Sequence, residues 1–157
     1  MRNFFQWSQA FETGFEQVDG QHRVLIDMIN AAMPVIAKHD SVTIPEAARM
    51  LAELETYARQ HFDDEERLMA SHGLAQAFVA EHLAQHREFE REVAALRMAA
   101  ASDRVDAIRL LQFLISWLTN HIVGTDKRMA AQIRDIEAGY SAADALQRAT
   151  PPQKSFN

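Results

Sequence analysis

Apolar positions in this chain recur at the three- and four-residue steps of helix faces, in four separate stretches. From Asp19, the residues His22, Leu25, Ile26, Ile29 and Met33 share one face. Pro34 is expected to kink or end this first helix, because its ring clashes with the preceding turn and it has no N–H. Thr43-Ile44-Pro45-Glu46 has capping-box spacing with proline in the first turn. It opens a second helix through Leu51, Leu54, Ala58, His61, Glu65, Leu68 and Met69, which Gly73 stops. A third helix covers roughly 75–100, with Phe78, His82, His86, Phe89, Val93 and Leu96 on one stripe. Ser102 or Asp103 caps a fourth, with Ile108, Leu111, Leu114, Ile115, Leu118, His121 and Ile122 inward.

The two ends read differently. Residues 1–18 carry Phe4, Phe5, Trp7, Phe11 and Phe15 without a sustained helical period, which suggests an extended arm packed over the core. After Gly139, residues 141–148 suit one short helix, and the Pro151-Pro152 end reads as disordered. The expected architecture is therefore all-α. An up-down-up-down four-helix bundle occupies 1–137, and 138–157 forms a C-terminal tail, either a short helix or disordered. Alternating direction places the first helix beside the second, and the third beside the fourth.

Charge and composition narrow the partners. Lys and Arg total 16 against 22 Asp and Glu, a net charge of −6 with no basic block. That argues against nucleic acid and anionic membranes as ligands. No window approaches the roughly 18 apolar residues of a membrane helix. The start shows no apolar run of leader length, so cytoplasm is the expected location and a monomer the expected state. The chain has seven histidines and no cysteine, which excludes disulfides, thiolate metal sites and cysteine nucleophiles together.

Histidines on the core stripes change the picture. An apolar stripe excludes ionisable groups unless they are paired or bind metal. Each of the four stripes here carries at least one histidine. His61 and Glu65 lie one turn apart on one face, as do His82 and His86. His121 is followed by Asp126, and His22 stands alone on its helix. A lone core histidine is more often hydrogen-bonded structure, and a single His-x-x-x-Glu is commonly a surface pair. Together, four helices pointing five imidazoles and two carboxylates inward would be very costly without a metal. Seven donors exceed what one four-coordinate zinc needs. Two metals sharing two carboxylates would use them, and this mixed nitrogen–oxygen set suits a pair of iron ions with an oxo or hydroxo bridge. A haem would leave most of the donors without a role.

His121 and Asp126 are five apart, about 140° around a regular helix. Both face one centre only if the backbone widens, bends or begins to end between them, so a local irregularity is expected near residues 123–126, where Gly124 would lower the cost. His39 and His72 fall at helix ends, solvated, with His72 meeting the dipole of the second helix. Asp63, Asp64 and Glu66 read as a solvated face.

The chain resembles the hemerythrins, most closely their single-domain bacterial members. The matching runs are Val18-Asp19-Gly20-Gln21-His22-Arg23-Val24-Leu25 and His61-Phe62-Asp63-Asp64-Glu65-Glu66 with Met69. They continue with His82-x-x-x-His86 and Trp117-Leu118-Thr119-Asn120-His121-Ile122-x-x-x-Asp126. The resemblance implies a non-haem di-iron site in a four-helix bundle. One iron would take His22 and His61, the other His82, His86 and His121, with Glu65 and Asp126 bridging. It implies dioxygen binding at the open position of the first iron, for carriage, storage or sensing, rather than catalysis. Trp117, Leu25 and Phe89 lie one turn from candidate ligands, and Phe62, Leu118 and Ile122 resemble the family's pocket residues. These six are candidates both for an oxygen pocket and for ordinary core. Competing readings are a di-iron oxidase or peroxidase, a nitric-oxide-handling protein, or an iron-handling or signalling module. The tail from about 138 would be the partner surface of the signalling or iron-handling reading, and the oxygen-binding reading implies a protein partner for oxygen delivery.

Overall fold

The computed structural model describes residues 5–38, 43–100 and 104–151, and the regular structure of these is entirely helical. Four long helices carry the bundle: α1 (Glu16–Lys38), α2 (Thr43–His72), α3 (Gln76–Ala100) and α4 (Arg104–His121). Each packs on the next, and α1 closes the ring against α4. Short connections between long neighbours give the up-down-up-down order. Gly73, at φ +64°, ends α2 in the left-handed conformation that glycine adopts without penalty. The Ser102 or Asp103 cap, the environment of His39 and the end beyond Pro151 lie outside the described residues, as does the Thr43 side chain on which the α2 capping box depends.

Two expectations about helix boundaries and faces need correction. Of the two outcomes expected at Pro34, a kink or an end, the end does not occur, since α1 continues to Lys38. Ile36 in that last turn is buried, and Met33, Ile36 and Ala37 line one groove with Leu111 and Ile115 of α4. This packing holds the turn although one backbone hydrogen bond is lost at the proline. Ile108 is not inward: it is 38% exposed. The buried stripe of α4 runs instead through Ala107, Leu110, Leu111, Leu114 and Leu118. Ile108 sits one step aside, on the rim of the same α1–α4 groove.

The amino-terminal arm packs over the core as expected, through buried Phe5 and Phe11, with a short 3₁₀ turn at Gln9–Phe11. The Asn30 side chain pins it by accepting from the Phe5 N–H at 2.9 Å and donating to the Phe5 carbonyl at 2.7 Å. The Asp19 carboxylate accepts from the Thr13 hydroxyl and from the backbone N–H groups of Thr13 and Gly14.

The irregularity expected after His121 is present. Residues Ile122–Asp126 form one π-helical segment, and α5 (Lys127–Glu137) follows it directly, with right-handed helical backbone at the junction. A π turn closes i to i+5 rather than i to i+4, so it absorbs one extra residue. An L side chain would fit at Gly124 in this turn. Its φ is not among the positive ones, and a Cβ added there would meet nothing within 4 Å. Gly124→Ala should therefore keep the fold and stabilise it by up to about 1 kcal/mol, read as a small rise in Tm. A fall in Tm would show that the widened turn needs glycine.

Beyond Gly139, α6 (Ala142–Ala149) is the short helix rather than a disordered stretch. The Ser141 hydroxyl caps it by accepting from the Asp144 N–H at 3.1 Å. It packs on α5, burying Ala145 and pairing Arg148 with Asp135 at 2.9 Å.

Two apolar clusters follow from this arrangement. One holds Leu25, Ile29, Leu54, Phe62, Phe89, Leu114, Leu118 and Ile122, among others. The other holds Val18, Met69, Leu74, Phe78, Met129 and Ile133. Between them, on every long helix, lies a layer of buried histidine and carboxylate.

Candidate metal centre

All seven candidate ligands are buried and converge on one point in that layer. His22 comes from α1, His61 and Glu65 from α2, His82 and His86 from α3, His121 from the end of α4 and Asp126 from the π segment. They form two overlapping groups: Glu65 with His82, His86 and His121, and His22, His61 and Glu65 with Asp126. Each carboxylate divides its two oxygens between the two histidine sets. Glu65 Oε1 faces His61 Nε2 at 3.5 Å and His22 Nε2 at 3.9 Å, while Oε2 faces His86 at 3.2 Å and His82 at 3.3 Å. Asp126 Oδ2 faces His22 at 3.1 Å, while Oδ1 faces His121 at 3.0 Å and His82 at 3.2 Å. The π segment makes this possible, since it returns Asp126, five residues on, to the face of His121.

The donor set fits a metal pair. His121 Nε2 lies 3.1 Å from His86 Nε2 and 3.2 Å from His82 Nε2, so lone pairs face one another unless a proton or a cation stands between them. All four carboxylate oxygens and both His22 nitrogens are buried without a hydrogen-bond partner. Buried polar atoms are rarely left so, and a cation is the group that would satisfy oxygen and nitrogen acceptors together.

Without a metal, protons must serve. Burial opposes protonation of His22 and His82, but it is outweighed. The Asp126 carboxylate close beside both rings, together with Glu65, holds His22 above its ordinary value and His82 up at about 9. Burial prevails at His61, which is lowered, and at His86, which falls to about 4. Despite burial, the surrounding imidazoles keep both carboxyls well below the usual carboxylate range. His86 binds its proton less tightly folded than unfolded, so its contribution is lost as pH falls from 6.5 towards about 4. His82 binds its proton more tightly folded, so its contribution is lost as pH rises from 6.5 towards about 9. Chelator-treated protein should therefore show its highest Tm near neutral pH and lose stability on both sides. A Tm that climbs steadily through that range would contradict this.

The six candidate pocket residues gather on one side of the layer. Phe62 stacks on the His86 ring at 3.9 Å and meets Phe89 edge-on at 5.3 Å. Trp117 stacks on His121 at 4.3 Å and packs on Phe89 at 4.5 Å. Leu25, Leu118 and Ile122 are buried in the same cluster. On the other side Phe78 meets His82 edge-on at 5.6 Å, a contact its place on the α3 stripe did not reveal.

Four polar neighbours were not legible as site residues. Gln21 Oε1 accepts from His61 Nδ1 at 2.9 Å, and Gln85 Oε1 accepts from His121 Nδ1 at 2.7 Å. Asp64 is not simply solvated, since it accepts from Gln21 Nε2 at 2.7 Å. Thr125 donates its hydroxyl to Gln85 at 2.8 Å. The only signal in the sequence is that each glutamine immediately precedes a histidine. Glu66 approaches His86 Nδ1 at 3.8 Å, and its side chain stays 40% exposed. His72 lies apart, bonded to the Leu68 carbonyl at 2.9 Å and paired with Glu137 at 3.2 Å.

Comparison with known proteins agrees with this layer. Residues 13–133 match the family model described as the hemerythrin HHE cation binding domain. A bacteriohemerythrin of Stenotrophomonas maltophilia is 32% identical over 130 residues, covering 82% of this chain and 80% of its own. One from Clostridium acetobutylicum is 27% identical over 131 residues, 78% of this chain and 96% of its own. A hemerythrin-like protein of Naegleria gruberi is 28% identical over 124 residues, 79% and 89% respectively. The matched region runs from the arm to α5 and encloses every histidine and carboxylate of the buried layer, so the chain belongs to the hemerythrin family.

Proposed function

We propose that this protein binds dioxygen reversibly at a non-haem di-iron centre, for carriage, storage or sensing. The observation that carries this reading is the division of each carboxylate between two histidine sets. His22 and His61 would hold one iron, His82, His86 and His121 the other, and Glu65 and Asp126 would reach both. The first set offers one fewer nitrogen, so the position left open to a small ligand is on the His22–His61 side. When bound, the iron pair supplies the electrons that dioxygen takes up and returns.

The chain's own contribution is charge and exclusion of water. Five neutral imidazoles and two carboxylates bring a charge of only −2, and this favours reversible uptake over the oxidising chemistry of carboxylate-rich cages. Leu25, Phe62, Phe89, Leu118 and Ile122 offer water no partner beside the donors, and the Trp117 ring covers His121 from outside, which protects bound oxygen from loss.

Iron-loaded protein, reduced without air, should be nearly colourless. It should gain an oxygen-dependent charge-transfer band in air and lose it when oxygen is removed. Irreversible conversion, with turnover of peroxide or nitric oxide, would instead assign an enzyme.

A further inference from the structure

The buried layer contains a repeated unit. On α1, Gln21 precedes His22 and reaches across to His61 of α2. On α3, Gln85 precedes His86 and reaches across to His121 of α4. The residue that anchors each amide also repeats: Asp64 immediately before Glu65, and Thr125 immediately before Asp126. Each unit thus ties one helix's glutamine to the next helix's histidine and to the residue before a carboxylate.

We propose that Gln21 and Gln85 are paired positioning residues, each setting the tautomer and aim of one metal-binding imidazole. The inference rests on the metal-centre reading above. An imidazole that binds metal through Nε2 must carry its proton on Nδ1, and a carbonyl-type oxygen at Nδ1 selects that form. Each amide is itself oriented. Gln21 Nε2 donates to the Asp64 carboxylate, which can only accept, so Oε1 must face His61. Gln85 Oε1 accepts from both the Thr125 hydroxyl and His121 Nδ1. His22 has no such partner at Nδ1, nor does His82. The two glutamines therefore hold one imidazole in each histidine set. A neutral acceptor also leaves the imidazole a neutral donor, whereas a carboxylate there would pull its proton and strengthen its donation.

The arrangement has a functional corollary. Thr125 belongs to the π segment and is buried. The widened turn therefore places both Asp126 in the centre and the anchor for Gln85 beside it.

Cobalt(II) titration of the full chain against a chromophoric chelator tests this. Wild type should bind two ions, with ligand-field bands for each. Gln85→Leu should weaken one ion by about 10–100-fold and leave the other within twofold, and Gln21→Leu should do the same to the opposite ion. Gln85→Glu, which keeps an acceptor oxygen, should restore tight binding and shift the bands. The Tm of each metal-free variant separates lost packing from lost positioning. Should a leucine variant fail to fold, ring-nitrogen NMR of zinc-loaded wild type decides. Hydrogen-bonded, downfield Nδ1–H signals are expected for His61 and His121. Wild-type affinity in both leucine variants, a glutamate variant as weak as the leucine one, or absence of those signals would overturn the positioning role. Failure of wild type to bind cobalt or zinc at all would overturn the metal-centre reading beneath it.

Discussion

Glu65→Gln should cut iron content from about two ions per chain to below about one, while the protein remains folded. The side chain keeps its shape, so packing in the buried layer is preserved. What is lost is charge and one bridging oxygen. Glu65 is the member common to both ligand groups, and each of its oxygens faces a different histidine set. Substituting an amide turns one face into a donor, directed at imidazole nitrogens that must themselves donate to metal. Changes merely adjacent to metal ligands typically cost 10–100-fold in affinity, and a bridging ligand should exceed that. Iron analysis of purified protein, with helicity followed by circular dichroism, reads the result. His39→Ala, at a position not assigned to metal, is the control and should retain both ions. Two ions in Glu65→Gln would remove the bridge from this account.

Phe62→Ala should have the largest effect on stability. Phe62 is 2% exposed and contacts the His86, Phe89 and Trp117 rings together. Truncating a buried phenylalanine costs about 3–5 kcal/mol, through lost burial and the cavity left behind. Against a typical total of about 5–15 kcal/mol, that is a large share. Denaturant unfolding of the metal-free protein measures it directly. The same cavity gives water a route to the face of His86, so the iron-loaded variant should convert to its ferric form faster in air. A loss under about 1 kcal/mol with unchanged ferric conversion would show that Phe62 neither packs nor seals as its contacts imply.

Much of this layer was legible because it depends on local spacing. A four-residue step places His61 with Glu65 and His82 with His86 on one face whatever surrounds them. A local irregularity before Asp126 was also legible, since a five-residue step cannot converge on a regular turn, but that it takes the form of a π segment was not. What escaped depends on how helices are rotated against one another. Gln21 and Asp64 lie 43 residues apart, and nothing local in either predicts the contact. Ile108 carries the periodicity of the α4 stripe, yet at the start of that helix Ala107, Leu110 and Leu111 face the core and Ile108 lies on the rim of the α1–α4 groove. Pro34 shows the same priority: a local rule ends the helix, but burial of Ile36 one half-turn later carries it on. Within the tail, Ala142–Ala149 form a helix because Ser141 caps it and α5 offers it a surface.

On the proposed reading, seven side chains from four helices and one π turn hold two irons bridged by two carboxylates. The most direct test is a crystal structure of iron-loaded protein with data collected at the iron absorption edge. Two anomalous peaks are expected roughly 3.5–4 Å apart, one beside His22 and His61 and the other among His82, His86 and His121, with Glu65 and Asp126 touching both. A single peak, or two peaks with either carboxylate confined to one of them, would contradict it.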